Sequence, residues 1–163
     1  MTLYITDANI FIDLHHADLL DLLADMGLAI ATSSLVFDEL NEQQQASINR
    51  LIDRKSIEIQ DVSLAEIKAL ALPKGLSLPD QSAICLVLRE QGILLSGDGL
   101  LRRTASKLKV ETHGLLWLFD LFVEANLLLP HLAAEKLIWL VEEKGSRQPE
   151  EECRARLEKW KNK

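Results

Sequence analysis

The sequence predicts an α/β fold with a mostly parallel central sheet. Short apolar runs rich in β-forming residues recur along the chain, and segments with Leu, Ala and Ile at helical spacing separate them. This alternation is typical of a sheet with helices on both faces. The chain has 163 residues, of which 48% are hydrophobic, so it has the size and composition of one domain with a real core.

Five apolar or alternating segments are predicted strands, at residues 2–6, 28–32, 56–62, 93–96 and 109–112. Helical periodicity predicts helices over 13–26, 33–45, 46–55, 64–72, 77–92, 100–108, 115–126 and 133–144. The helix at 77–92 has the clearest start, because Ser77 can cap it and Pro79 suits its first turn.

The chain divides in this prediction into a main domain, residues 1–130, and a helical C-terminal extension, residues 131–163, packed on or beside it. The charged segment from Glu150 onward has a density of charge that favours an exposed location. The helix around Trp117 is apolar on nearly every side, so it is buried in the core or in the interface of a homodimer. We expect a homodimer.

Composition limits the location of the protein. Cys85 and Cys153, with no secretory signal before them, predict free thiols in a reducing cytoplasm. No uninterrupted run of about 20 apolar residues is present, so the sequence predicts no transmembrane helix.

Charge limits how the protein can bind nucleic acid. The 18 basic and 25 acidic side chains give a formal charge of −7, which argues against wrapping nucleic acid by net charge alone. Arg102, Arg103 and Lys107 nevertheless lie together on one predicted helix and can meet RNA phosphates. A solvated basic helix face explains these three residues equally well.

Acidic residues stand where predicted strands end or helices begin. Asp7 ends the first strand, Asp98 follows the fourth, Asp80 lies at a helix start, and Glu39 lies in the helix after the second strand. In open parallel sheets, ligands bind beyond the carboxyl ends of the strands. We therefore expect these carboxylates to meet at one edge.

A cluster of carboxylates needs compensation. Two like charges about 4 Å apart repel by about 4 kcal/mol at an effective dielectric of 20. A hard divalent cation supplies that compensation, and oxygen ligands suit Mg²⁺ or Mn²⁺. Taken singly, Asp80 has another role at the helix dipole and Asp98 another in a turn. The metal-site hypothesis depends on the set.

Four segments in a fixed order carry a resemblance to a known family: "ITDANIFIDL", "VFDEL", "LPDQSAICLV" and "LLSGDGLLRRTA". Over residues 2–130 the chain resembles the PIN-domain family of metal-dependent ribonucleases. It is most similar to the VapC-like toxins of bacterial and archaeal toxin–antitoxin pairs. The resemblance implies a PIN-like three-layer sandwich, cleavage of RNA with Mg²⁺ or Mn²⁺, and an antitoxin protein as a partner.

The resemblance also implies roles for individual residues. The acidic catalytic and metal-binding quartet would be Asp7, Glu39, Asp80 and Asp98. Asn9 and Ser96 match the small polar positions that support the first and last acids.

Two alternatives remain open. Many members of the family carry a further acid after the last one, whereas Gly99 and two leucines follow Asp98 here. That departure favours a catalytically weak PIN domain that serves as a protein- or RNA-binding module. A haloacid-dehalogenase-like phosphatase also ends its first strand with an acid, but it needs a second acid where Asn9 stands.

Overall fold

A five-stranded parallel sheet forms the centre of the protein. The computed structural model describes residues 1–161. The strands are β1 (Leu3–Thr6), β2 (Ala29–Ser33), β3 (Ile57–Gln60), β4 (Ile93–Leu95) and β5 (Thr112–His113). Their order in the sheet is β3-β2-β1-β4-β5, and every neighbouring pair is parallel. The predicted α/β class is confirmed.

Helices cover both faces of the sheet. They are α1 (Ala8–His16), α2 (Leu20–Asp25), α3 (Ser34–Glu39), α4 (Glu42–Asp53), α5 (Leu64–Ala69), α6 (Leu78–Glu90), α7 (Gly99–Lys107), α8 (Leu115–Glu124), α9 (Pro130–Glu142) and α10 (Glu150–Lys161). Side chains from alternate strand positions enter two separate apolar cores. Ile30 lies in one core and Ala31 in the other, as expected when successive strand residues point to opposite faces. The three-layer sandwich is therefore confirmed.

The first helix begins earlier than predicted. We expected one helix over residues 13–26, but α1 starts at Ala8, directly after Asp7, and ends at His16. The Asp7 carboxylate accepts the backbone N–H of Ile10 and so caps the helix. Asp18 then adopts a left-handed conformation (φ +57°), which separates α1 from α2.

The second pair of helices divides at a different residue from the predicted one. We placed the break between residues 45 and 46, whereas α3 ends at Glu39 and α4 begins at Glu42. Asn41 and Gln44 form a reciprocal capping box at the start of α4, with both hydrogen bonds at 2.9 Å. This cap fixes the boundary and leaves Glu39 as the last residue of α3.

The C-terminal helices pack onto the rest of the chain. Trp160 is only 1% exposed, and its ring stacks on Phe119 with 6.0 Å between centroids. Arg156 donates three hydrogen bonds to Asp120, which lies in α8. The expectation of an exposed charged segment is wrong for Trp160, because α10 places this side chain in the main apolar core.

The division into residues 1–130 and 131–163 stays a prediction, and its last two residues, 162 and 163, lie outside the described residues.

The apolar helix α8 buries Phe119 and Phe122 completely in the core. Cys85 and Cys153 are free thiols. Among residues 1–161, no helix is long and apolar enough to cross a membrane.

Candidate active site

The carboxyl ends of β1, β2 and β4 open onto one edge of the sheet. Thr6, the last residue of β1, pairs with Leu95 at the end of β4. The next residue, Asp7, donates its backbone N–H to the carbonyl of Leu95 at 3.2 Å. The strand pairing therefore extends one residue beyond β1 and fixes the backbone of the first acid beside β4.

Asp7 is a buried carboxylate whose two oxygens each accept one hydrogen bond. It is 1% exposed. Its Oδ1 accepts the N–H of Ile10 at 3.0 Å, and its Oδ2 accepts the hydroxyl of Ser96 at 2.5 Å. The pKa of Asp7 is raised from 3.8 to about 7, mainly by burial and to a smaller extent by the charges of Asp80 and Asp98, while the two hydrogen bonds oppose the shift.

Asp98 shares a hydroxyl with Asp7. The backbone N–H of Asp98 donates to Ser96 Oγ at 3.1 Å, so Ser96 contacts both acids. The Oδ1 of Asp98 accepts the N–H of Leu101 at 2.8 Å and caps α7. Ser96 thus contacts the first and last acids, and its supporting role in a working site stays a prediction.

Asp80 and Glu39 complete the acidic group. Asp80 is half-buried in the first turn of α6, where its N–H donates to Ser77 Oγ at 3.2 Å. Burial and the charge of Asp98 raise the pKa of Asp80. Glu39 is exposed, and partial burial together with the charge of Asp80 raises its pKa. The charge of Asp80, of Asp98 or of both therefore raises the pKa of three members of the group, namely Asp7, Glu39 and Asp80 itself.

Buried hydroxyls join the elements that carry these acids. The hydroxyls of Ser33 and Ser82 lie 2.6 Å apart, and both side chains are fully buried. Ser33 caps α3 by accepting the N–H of Val36, while Ser82 donates to the carbonyl of Pro79. This contact links α3, which carries Glu39, to α6. No local pattern in the sequence predicts that Ser82 makes this contact.

The other predicted site residues occupy different surroundings. Asn9 is exposed in the first turn of α1 and borders a cleft that also contains Asp98. Arg102 is half-buried, and its guanidinium donates to the carbonyl of Ser96 at 3.4 Å. Arg103 and Lys107 are exposed. The predicted basic strip therefore consists of one partly engaged arginine and two solvent-facing cations.

None of the four carboxylates forms an ion pair with a basic side chain in the described part of the chain. Within residues 1–161, no ion pair shorter than 4.0 Å includes any of the four carboxylates. In the same part of the chain, no three Asp, Glu, His or Cys side chains lie in an arrangement that could hold one metal ion. Asp7 and Asp98 each have one oxygen at a helix N-terminus instead. The donor chemistry, carboxylate oxygen only, fits a hard cation.

Comparison with known families decides the classification. Residues 3–162 match the model of the family DUF3368, described as a PIN domain. The chain belongs to the PIN-domain family. The resemblance predicted from the four motifs is confirmed, and the match to this PIN domain continues beyond residue 130 into the C-terminal helices.

Nine chains of solved structures match this PIN domain. One is from the crystal structure of VapBC2 from Rickettsia felis bound to a DNA fragment from its promoter. It is 19% identical, with a TM-score of 0.45, over 69% of this chain and 98% of that chain. No curated protein matches.

Proposed function

We propose that this PIN domain is a metal-dependent endoribonuclease. Its cofactor would be Mg²⁺ or Mn²⁺, with oxygen ligands from Asp7, Glu39, Asp80 and Asp98, and its substrate would be an RNA phosphodiester. Because no three of these carboxylates are arranged to hold one ion within residues 1–161, the proposal includes movement of their side chains when the metal binds. One observation carries the proposal: acids from separate elements lie close enough at the carboxyl edge of a parallel sheet to raise one another's pKa, and no ion pair among residues 1–161 includes any of them. A bound divalent cation supplies a water of lowered pKa and neutralises charge on the phosphodiester.

The protein itself positions the reacting groups. Asp7 is the fixed member, because its backbone continues the sheet and its side chain has two hydrogen bonds. Glu39 and Asp80 lie in α3 and α6, two helices that the buried Ser33–Ser82 contact joins. Hydrolysis adds water across the P–O3′ bond and leaves a 5′-phosphate and a 3′-hydroxyl. Arg103 and Lys107 are exposed and can bind phosphates of the same strand.

The proposed biological role is that of a toxin in a toxin–antitoxin pair, with the antitoxin as a separate protein that covers the acidic edge. Support for this role comes from the family resemblance of the four motifs. The competing proposal is a PIN domain that binds RNA or protein without cleaving it, and the loss of an acid after Asp98 favours that view.

The experiment follows cleavage of a labelled single-stranded RNA. We expect EDTA to stop cleavage and added Mn²⁺ to restore it. Asp98→Asn should reduce cleavage strongly without unfolding the protein, because asparagine also caps helices well. Asp53→Asn is the matched control, since Asp53 is an exposed acid in α4.

Calorimetric titration with Mn²⁺ separates the two proposals. The nuclease requires both metal uptake and cleavage, each weakened by Asp98→Asn and unchanged by Asp53→Asn. Tight RNA or protein binding without metal uptake or cleavage would instead establish a binding module.

A further inference from the structure

A cleft of about 400 Å³ lies beside the acidic edge. Asn9, Asp98 and Gly99 line it. Residues 144–147, part of the segment between α9 and α10 and here called the 144–147 linker, line the same cleft. The cleft therefore joins a proposed catalytic acid to a segment of the C-terminal extension.

The 144–147 linker is held in place by specific contacts. Ser146 Oγ donates to Asp13 Oδ2 at 2.9 Å, which ties the linker to α1. The N–H of Ser146 donates to the carbonyl of Leu140 in α9 at 2.9 Å. Gly145 has φ +68°, a left-handed conformation that glycine adopts without strain. Hydrogen bonds thus attach the linker to both α1 and α9.

The linker carries two cations that have no carboxylate partner. Lys144 and Arg147 are both exposed, and no ion pair within residues 1–161 includes either one. The Lys144 ammonium lies 5.3 Å from the centre of the Trp139 ring. Burial lowers the pKa of His16, which also lines the cleft, and the charge of Lys144 lowers it further. Asp13, which also lines the cleft, accepts the hydrogen bond from the Ser146 hydroxyl.

The residues that follow the linker line a second, smaller cleft. Gln148 and Pro149 lie there together with Arg102 of α7 and with His113. The segment between α9 and α10 therefore lies near Asp98 through the first cleft and near Arg102 through the second.

We infer that Lys144 and Arg147 bind a backbone phosphate of single-stranded RNA next to the phosphodiester presented to the acids. The inference rests on the proposed nuclease function and names how its site holds the substrate. A protein with a net charge of −7 and an acidic site repels a polyanion, so local cations must retain the strand. The guanidinium of Arg147 can contact a phosphate through two parallel hydrogen bonds.

The test measures binding of a fluorescent single-stranded RNA to the full chain in EDTA, at several salt concentrations. Lys144→Gln with Arg147→Gln removes both charges and leaves the Ser146 anchor intact. Loss of the contact with this phosphate should reduce the magnitude of the slope of log K against log salt by about 0.7 and weaken binding roughly 5-fold at 0.1 M salt. The charge-preserving pair Lys144→Arg with Arg147→Lys should bind nearly as the parent does.

The control pair is Lys55→Gln with Lys68→Gln, two exposed lysines outside the cleft that give the same change in net charge. Equal weakening in this control would overturn the inference, because net charge alone would then explain the effect. Cleavage with Mn²⁺ supplies a second readout. Loss of phosphate contacts that do not change in the transition state should raise KM and leave kcat unchanged.

The outcomes also distinguish failure of this inference from failure of the nuclease proposal. If the parent cleaves RNA and the Lys144/Arg147 double glutamine variant keeps its affinity and salt slope, the inference is wrong and the nuclease stands. If the parent takes up no metal and cleaves no RNA, the nuclease proposal fails and the inference fails with it.

Discussion

Ser96 connects the first and last acids of the site through a single hydroxyl. Its Oγ donates to Asp7 Oδ2 at 2.5 Å and accepts the backbone N–H of Asp98 at 3.1 Å. Ser96 is fully buried, so water cannot readily replace it. Acids that lie 91 residues apart in the sequence are therefore positioned by one side chain at the end of β4.

Ser96→Ala should both destabilise the protein and weaken metal binding. The change leaves Asp7 Oδ2 and the Asp98 N–H without a buried partner, which should cost about 1–3 kcal/mol of unfolding free energy. Loss of a group that orients a metal ligand typically lowers metal affinity 10- to 100-fold. Urea unfolding and Mn²⁺ titration measure the two effects.

Ser106→Ala is the control for this change, because Ser106 is exposed on α7. It should leave both quantities unchanged. An alanine at position 96 that binds Mn²⁺ as tightly as the parent would show that the hydroxyl does not position the acids.

The raised pKa of Asp7 predicts a stability that falls with pH. Between about pH 4 and pH 7 the folded state keeps a proton on Asp7 that the unfolded chain has lost. Stability contributed by this group is therefore highest at about pH 4 and is lost as the pH rises to 7, by at most about 4 kcal/mol. The pKa values of Asp80 and Glu39 are raised too and act in the same direction.

Asp7→Asn isolates this effect. Asparagine can still cap α1 but does not titrate, so the difference in unfolding free energy between variant and parent should grow from pH 4 to pH 7. Mn²⁺ should stabilise the parent more at pH 8 than at pH 5, because protons compete with the metal. Identical pH profiles for parent and variant, by urea unfolding, would contradict the buried-carboxylate explanation.

The sequence predicted the acidic edge because that edge follows from topology. An acid that closes a buried strand is costly unless it has a role, and the carboxyl ends of parallel strands share one edge. These grounds place Asp7 and Asp98 at the same edge, and the pairing of β1 with β4 places their strands side by side. The start of α1 was missed because Ile10-Phe11-Ile12 reads as a continuous apolar run, which hides the helical period.

Other features depend on contacts between distant residues. Ser82 lies inside a helix, and nothing in its neighbourhood signals that its hydroxyl meets Ser33, 49 residues earlier. Trp160 stands alone among charged residues, so composition predicted exposure where packing against α8 buries it. Such contacts are set by tertiary packing and carry no local pattern.

The Ser33–Ser82 contact should couple the two helices that carry Glu39 and Asp80. Each single alanine leaves the other buried hydroxyl without this partner, whereas the double alanine removes both. We expect the double variant to lose less stability than the sum of the singles, with an interaction energy of about 0.5–3 kcal/mol. Urea unfolding of the four proteins provides the cycle.

A matched cycle with Ser63→Ala in place of Ser33→Ala serves as the control, because Ser63 caps α5 and is exposed. Its effect should add to that of Ser82→Ala. Additivity in the Ser33–Ser82 cycle as well would mean that the 2.6 Å contact does not connect α3 to α6 energetically.

The attachment of α10 should depend on Arg156. This side chain and Asp120 are each about one-fifth to one-quarter exposed, and their closest N···O distance is 2.8 Å. Arg156→Ala leaves the partly buried carboxylate of Asp120 without its cation, at a cost of about 2 kcal/mol. Arg154→Ala should change stability by less than about 0.5 kcal/mol, because Arg154 is largely exposed and its only ion pair is with Glu150 among the described residues.

Hydrogen exchange locates the effect of the two arginine substitutions. Since α10 and α9 are in contact, loss of the Arg156–Asp120 pair should increase exchange in α10 before the central strands open. The linker before α10 should loosen with it, so Arg156→Ala should also weaken RNA binding if the linker contacts the substrate. Equal hydrogen exchange in α10 of the two variants would mean that the burial of Trp160, and not the Arg156–Asp120 pair, attaches α10.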